Sequence, residues 1–383
     1  MKRRKTAVWM AAAISVALAG CSGQGTGAGQ GNLETGTEMT GDKGQAGHET
    51  AGDGVNAQID RGGTNPAKES RRAENEGEEK AKAAPMQDVT VILDYVANTN
   101  HTGMYVALDQ GYYEEEGLQV RIIEPTEGAT ATLVAVGKGD FGISYQEDVT
   151  IALTSADPLP VKAVAAVIQH NTSGFAVYED KDVRSPKDFE GKIYAGWGGP
   201  GEEAVLKAVM AQNQADFSKL TMVISDGSGF EALRDKADIM WFFEGWDNVK
   251  CRLHDFPIRY MPVRDLDERL DYYTPVIIAA DNTLEQKPDM VRRFLSATAR
   301  GYGYAMDNPR ESAQILQKYA PDYSLELLTM SQEYLSQKYM EDADRWGEME
   351  ARVWDNYTEF MVEYGVIDKA VEAERCFTNE FLP

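Results

Sequence analysis

Cysteine is almost missing from this chain: its 383 residues hold three, Cys21, Cys251 and Cys376. So few, spaced so widely, exclude a disulfide-stapled scaffold and a cysteine-built metal cluster. Cys251 and Cys376 are left either as one pair or as two buried thiols. Histidine is scarce too, and His48, His101, His170 and His254 show neither ligand spacing nor a neighbouring nucleophile motif. No apolar run reaches the roughly 20 residues that a membrane-spanning helix needs. Basic residues are outnumbered, 38 against 62 acidic, and the formal charge of -24 argues against nucleic acid and against adsorption to an anionic membrane surface. A last shortage is local. From Ser22 to about Pro85 hardly an aliphatic or aromatic residue occurs, so this stretch cannot bury enough apolar surface to offset its ordering entropy and reads as a flexible tether.

What is present begins with an address. Lys2, Arg3, Arg4 and Lys5 precede an apolar stretch from Ala7 to Leu18, which ends in the small residues Ala19 and Gly20 before Cys21. That is an export signal over residues 1–20. Leu18-Ala-Gly-Cys21 resembles the bacterial lipobox. The resemblance implies that Cys21 carries the acyl chains and begins the mature chain, since more than one chain suffices for stable anchoring. An ordinary secretory signal with a coincident cysteine is the alternative.

After the tether of residues 21–85, about 300 residues remain, more than one core usually holds, so two lobes are expected. Strand-length apolar runs at Val89–Asp94, Leu118–Ile123, Asp140–Ile143 and Val161–Ile168 alternate with helical patterns at Met104–Glu116 and Thr130–Val136. The alternation resumes at Lys192–Ala195, with a helix at Glu202–Gln212 and strands at Leu220–Ile224 and Ala237–Phe243. Such alternation implies parallel sheets with helical crossovers, an α/β fold in two lobes. From Lys287 the pattern is helical, as in Met290–Ala305, Glu311–Tyr319 and Glu348–Tyr364, and reads as a return that braces the first lobe. The divisions are lobe 1 over 86–175, lobe 2 over 176–272 and the helical return to lobe 1 over 273–383.

Ligands of such folds lie beyond the carboxyl ends of the strands and between lobes. Four segments fall there. In the first, Asp94 to Gly103, Asp94, Asn98 and His101 suit a small heteroatom-rich ligand, and equally suit a turn with an N-cap. The second, Ser144 to Asp148, opens a helix; Tyr145 and Glu147 can reach a cleft, although Ser144 and Glu147 also have capping-box spacing. The third, Gly196-Trp-Gly-Gly-Pro-Gly201, has the spacing of a dinucleotide-binding turn. Glu202 and Glu203 stand where pyrophosphate would sit and Pro200 removes a donor, so we read it as a turn presenting Trp197 to a planar ligand. In the fourth, Asp238 to Trp246, Glu244 is an acid among the rings of Trp241 and Trp246. A carboxylate there can accept hydrogen bonds from an exocyclic amine while rings stack on a heteroaromatic face, though a core strand whose Glu meets solvent reads the same. Tyr272 and Tyr273 add a further wall or serve as hinge packing, and three acids, Glu202, Glu203 and Glu244, make an anion the less attractive ligand.

These segments resemble substrate-binding lipoproteins of the thiamine-pyrimidine synthase-like family, especially the branch for formylaminopyrimidine or hydroxymethylpyrimidine. The carriers are Asp94 to Gly103, Gln110-Gly-Tyr-Tyr-Glu114, Val136-Gly-Lys-Gly-Asp-Phe-Gly-Ile-Ser144, Gly196 to Glu203, Trp241 to Trp246 and Asp271-Tyr-Tyr-Thr-Pro275. The glycine and aspartate landmarks are shared with relatives that bind sulfonates, nitrate or riboflavin, whereas Asn98-Thr-Asn-His-Thr-Gly103 points to the pyrimidine branch. The resemblance implies a type II periplasmic-binding fold with crossovers near Ser173–Tyr178 and Leu270–Pro275. It implies an extracytoplasmic, lipid-anchored monomer without a cofactor, which hands an aminopyrimidine to the permease and ATPase of an ABC importer.

A secreted pyrimidine synthase is the rival, because the same superfamily contains a fungal enzyme. The resemblance places that enzyme's lysine, histidine and cysteine-rich strip at Ser144, Asp148 and Asp271–Pro275, which lack an amine for a Schiff base and a thiol cluster for iron. The expectation is therefore binding without turnover.

Overall fold

A computed structural model describes residues 86–125 and 129–383. The export signal, Cys21 and the tether lie outside the described residues. The first sheet comprises β1 (Gln87–Ile92), β2 (Leu118–Ile123), β3 (Phe141–Ser144), β4 (Val161–Ala166) and β10 (Val276–Ala280), in the order β2-β1-β3-β10-β4. The second comprises β5 (Ser173–Tyr178), β6 (Ile193–Gly196), β7 (Thr221–Ile224), β8 (Ile239–Phe243) and β9 (Ile258–Pro262), in the order β7-β6-β8-β5-β9.

Both sheets are mixed rather than parallel, which corrects the expectation from the alternating pattern. β1, β2 and β3 run parallel, as do β6, β7 and β8. β10 inserts antiparallel between β3 and β4, and β5 lies antiparallel to β8 and β9. The cause is connectivity: β5 and β10 enter from the opposite lobe, so no helical crossover fixes their direction. The sequence 167–172 makes the first passage and 263–275 the second; Ser173–Tyr178, expected as a crossover, is itself a strand.

The edge strands β2 and β7 keep exposed residues, whereas strands β3, β4, β5, β8 and β10 are buried on both faces. β10 shows it residue by residue: Ile277 and Ala279 enter one core, Val276, Ile278 and Ala280 the other. The expected helix Met104–Glu116 is two, Thr102–Asp109 and Tyr112–Glu115, broken at Gly111 with φ 74°. Helix Pro288–Asp307 buries Val291, Phe294, Leu295, Thr298, Tyr302 and Ala305, one stripe at helical spacing. It crosses helix Thr102–Asp109 at Gly301 and Gly103, where a Cβ on Gly301 would collide with the Gly103 carbonyl.

The helical return does not brace the first lobe alone. Helices Pro288–Asp307, Pro309–Tyr319 and Leu325–Leu335 join its core, but helix Ala351–Glu363 lays Tyr357, Phe360 and Met361 into the core of the second, beside Val205, Leu270 and Tyr272. Trp354 on the same helix belongs to the first lobe, so this helix straps the two together. Cys251 and Cys376 are free, buried in different cores, and burial pushes each thiol up to about 12.

Candidate functional site

The loop after β1 folds on its own polar groups. Asn98 caps the turn Thr99–His101: its Oδ1 accepts from Asn100 N–H at 2.9 Å and its Nδ2 donates to the Val96 carbonyl at 3.0 Å. The amide expected to meet a ligand is thus engaged by the loop. His101 is fully buried; Asn98 N–H donates to its Nδ1 at 3.2 Å, which leaves Nε2 to donate to Asp94 Oδ1 at 2.8 Å. Burial works to raise the Asp94 carboxyl, but His101, with help from the Tyr145 hydroxyl, holds it below the usual carboxylate range. Tyr302 and Tyr339 donate to the carbonyls of Asn100 and Thr99, each at 2.7 Å, and fix the loop from the helical return.

After β3, Tyr145 is the N-cap of helix Gln146–Thr154, with no side-chain cap bond. Ser144 and Glu147 form no capping box, because the Ser144 hydroxyl donates to Asp148 at 2.6 Å instead. Glu147 accepts from the Tyr357 hydroxyl at 2.5 Å. Its carboxylate lies against Gly201 of the second lobe, where a Cβ would collide with it. Burial raises the Glu147 carboxyl, and Asp148 and Glu202 add to this against the pull of Tyr357.

After β6, the glycine turn closes on Glu202, the third residue of helix Pro200–Gln212. Glu202 is 2% exposed; Oε1 accepts from Trp197 N–H at 3.2 Å and from the Tyr194 hydroxyl, and Oε2 accepts from Gly198 N–H at 2.7 Å. The cradle of backbone donors that a dinucleotide's phosphates would need is filled from within. Glu202, expected to touch ligand directly, has its carboxylate fully engaged by the turn. The turn presents Trp197, 52% exposed, edge-on to Trp241 at 5.3 Å, and the buried Trp241 Nε1 has no partner.

The segment after β8 meets the first lobe. Glu244 accepts from the Tyr334 hydroxyl at 2.8 Å, the Gly245 carbonyl accepts from Ser331, and Ser331 pairs with Thr99 at 2.6 Å. Trp246 does not reach the Trp197 corner: it stands edge-on to Tyr323 at 4.9 Å, with Lys250 Nζ 4.7 Å over its ring. Tyr273 is also withdrawn. It is 2% exposed beside Trp354, and its hydroxyl accepts from Glu350 N–H at 2.9 Å, so it is hinge packing. Its neighbour Tyr272 stacks on Tyr357 at 4.0 Å.

The lobes therefore touch along two seams, Glu147 on Gly201 and Glu244–Gly245 on helix Leu325–Leu335. Two concavities lie outside them. One of about 730 Å³ runs along the outer edge of the first sheet past Arg121 and Tyr319, and one of about 230 Å³ lies between the glycine turn and Ile224; neither includes Asp94, Tyr145, Trp241 or Glu244. Sequence reasoning missed the tyrosines that answer the cleft acids, Tyr194, Tyr334 and Tyr357, and it missed the hinge. There His170 bridges Asp271 at 2.6 Å and Asp342 at 2.9 Å, while Asp271 also accepts from Asn171 N–H. Among the described residues no group of three or more His, Cys, Asp and Glu side chains is placed to hold a metal ion.

This is the arrangement of periplasmic binding proteins, two mixed five-stranded sheets joined by a hinge. Residues 98–312 match the family described as NMT1/THI5 like. The chain belongs to that family. It is 25% identical over 308 residues to the formylaminopyrimidine-binding protein of Halalkalibacterium halodurans, covering 77% of this chain and 90% of that one. It is 24% identical over 309 residues to the 4-amino-5-hydroxymethyl-2-methylpyrimidine phosphate synthase of Legionella pneumophila, covering 77% and 92%. Among solved structures, the periplasmic aliphatic sulphonate-binding protein SsuA of Escherichia coli superposes with a TM-score of 0.60 at 14% identity, over 77% of this chain and 99% of that one. That last likeness carries the fold and not the ligand.

Proposed function

We propose that the chain is the extracytoplasmic solute-binding protein of an ABC importer, anchored through Cys21, and that it captures a thiamine pyrimidine precursor between its lobes. The observation that carries the reading is the corner formed by Trp197 and Trp241. A half-exposed indole stands on a glycine turn at the lobe boundary, edge-on to a second indole whose N–H is unpartnered. A flat heteroaromatic ring offers the first a stacking face and the second an acceptor. Across the boundary, Asp94 is held ionised by His101 and Tyr145, an acceptor for an exocyclic amine. The seams at Gly201 and Gly245 part to admit the ligand and close over it. The similarity to a formylaminopyrimidine-binding protein supports the same ligand class.

Binding without turnover is part of this reading. Ser144 and Asp148, at the positions the resemblance assigns to the synthase's amine and imidazole, are hydrogen-bonded to each other, and the nearby crossover carries stacked tyrosine in place of thiols. Calorimetric titration of the full chain with formylaminopyrimidine and hydroxymethylpyrimidine, with riboflavin and an aliphatic sulfonate as controls, tests the ligand. Affinity weaker than millimolar for both pyrimidines removes the assignment, and conversion of either, followed by mass spectrometry, replaces a binding protein with an enzyme.

A further inference from the structure

The glycine turn has the geometry of an anion site, yet the protein places its own anion there. Trp197 and Gly198 direct their N–H groups inward at the start of helix Pro200–Gln212, the positive end of thirteen aligned peptides. Tyr194 supplies a third donor from β6. All three converge on one carboxylate, nine-tenths buried and more, and Gly196 is required beneath it because a Cβ there would collide with Glu202 Oε1. From the facing lobe Glu147 brings a second acid to Gly201, one residue away. Nearby Lys207 offers no compensation to a ligand, being paired with Glu203 at 2.5 Å.

We infer that Glu202 is a specificity-determining residue: its carboxylate occupies the one backbone cradle at the ligand corner, so the site accepts an uncharged heterocycle and refuses its phosphate or sulfonate derivatives. This rests on the reading that Trp197 faces the ligand. An incoming phosphate or sulfonate finds every donor of the turn engaged and meets two carboxylates instead of a dipole. The chain is thereby tuned to the unphosphorylated form of its ligand, and the phosphate ester of a hydroxymethylpyrimidine is excluded.

Two independent arms test this on the full chain. In the first, thermal melts and calorimetry with nitrate, formate, methanesulfonate and inorganic phosphate compare wild type with Glu202→Ala, at ionic strength matched by chloride. Wild type is expected to respond to none, whereas Glu202→Ala, with its cradle vacated, takes up formate or nitrate at least about tenfold more tightly. Glu202→Gln keeps the cradle filled, removes the charge, and reads out the electrostatic part of the exclusion if the alanine variant does not fold: its preference for hydroxymethylpyrimidine over the phosphate ester should shrink at least about threefold, and an unchanged preference overturns the inference. Submillimolar binding of phosphate or methanesulfonate to wild type, or a folded Glu202→Ala indifferent to all four anions, overturns the inference. Because the anion titrations contain no pyrimidine, they stand or fall apart from the ligand assignment. In the second arm, hydroxymethylpyrimidine is compared with its phosphate ester. Preference for the free alcohol supports the inference, and equal binding sinks it while leaving the pyrimidine reading intact.

Discussion

Glu202 and Glu147 sit in the first turns of two helices, one in each lobe, and solve the same problem differently. Each is a buried acid that burial drives upward and donors pull back. Glu202 finds its donors within eight residues, in Tyr194, Trp197 and Gly198. Glu147 relies on Tyr357, 210 residues along the chain. The first acid is part of a local turn that folds as a unit; the second exists only when helix Ala351–Glu363 is in place across the lobes. Local satisfaction ties the Trp197 corner to its own turn, and distant satisfaction ties Glu147 to the strap.

Removing Glu202 should break the local case most severely. Glu202→Ala leaves two backbone donors and a buried hydroxyl without an acceptor and is expected to cost about 3–5 kcal/mol, read by denaturant unfolding. A cost below about 1 kcal/mol places the carboxylate outside the turn's folding.

The hinge supplies a third kind of acid pairing, with a cation. The Asp271 hydrogen bond, opposed by burial and reinforced by Asp342, raises His170 from 6.5 to about 9. A raised folded-state value means stability that is complete below pH 6.5 and lost as pH climbs through about 9. Melting temperature should fall over that window by the equivalent of roughly 2–3 kcal/mol, and His170→Gln should flatten the slope. A wild-type profile that is already flat there rules out the charged bridge.

Tyr357→Phe tests the distant case. It keeps the stack on Tyr272 and removes the donor to Glu147, so a loss of about 1–2 kcal/mol is expected. If the coupling is as described, Glu147→Gln in the same background adds little, and a full additive penalty in this double-mutant cycle would separate the two groups.

Gly201→Ala should have the smallest effect on stability and a clearer one on function. The added methyl collides with the Glu147 carboxylate only when the lobes meet. Affinity for the ligand proposed above is expected to fall by about tenfold while unfolding moves by less than about 1 kcal/mol. Unchanged affinity detaches this seam from closure.

Much of the fold was legible. Period-two and helical patterns located the strands at 118–123 and 221–224 and the helix at 288–307 to within a few residues. Strand direction was not legible, because β5 falls where a crossover was expected and β10 falls beyond the second expected crossover, and both acquire their antiparallel sense only from arriving out of the other lobe. Of the candidate ligand residues, the structure sets Trp197 against Trp241, and Asp94 beside His101 and Tyr145, whereas Asn98 and Glu202 are engaged by their own turns. Trp246 and Tyr273 look as aromatic in sequence as Trp197 does. Only their neighbours, Tyr323 with Lys250 and Trp354 with Glu350, reveal that they are taken.

Local pattern along the chain sets where the turns fall, which faces are apolar, and that Glu202 follows a glycine-rich loop. Tertiary structure alone decided that Tyr334 answers Glu244, that Tyr357 answers Glu147, and that His170 ties Asp271 to Asp342. The division follows from range. Periodicity and turn chemistry act over a few residues, whereas a buried acid takes whichever donor the packing of distant elements brings to hydrogen-bonding distance, and no local pattern encodes that partner.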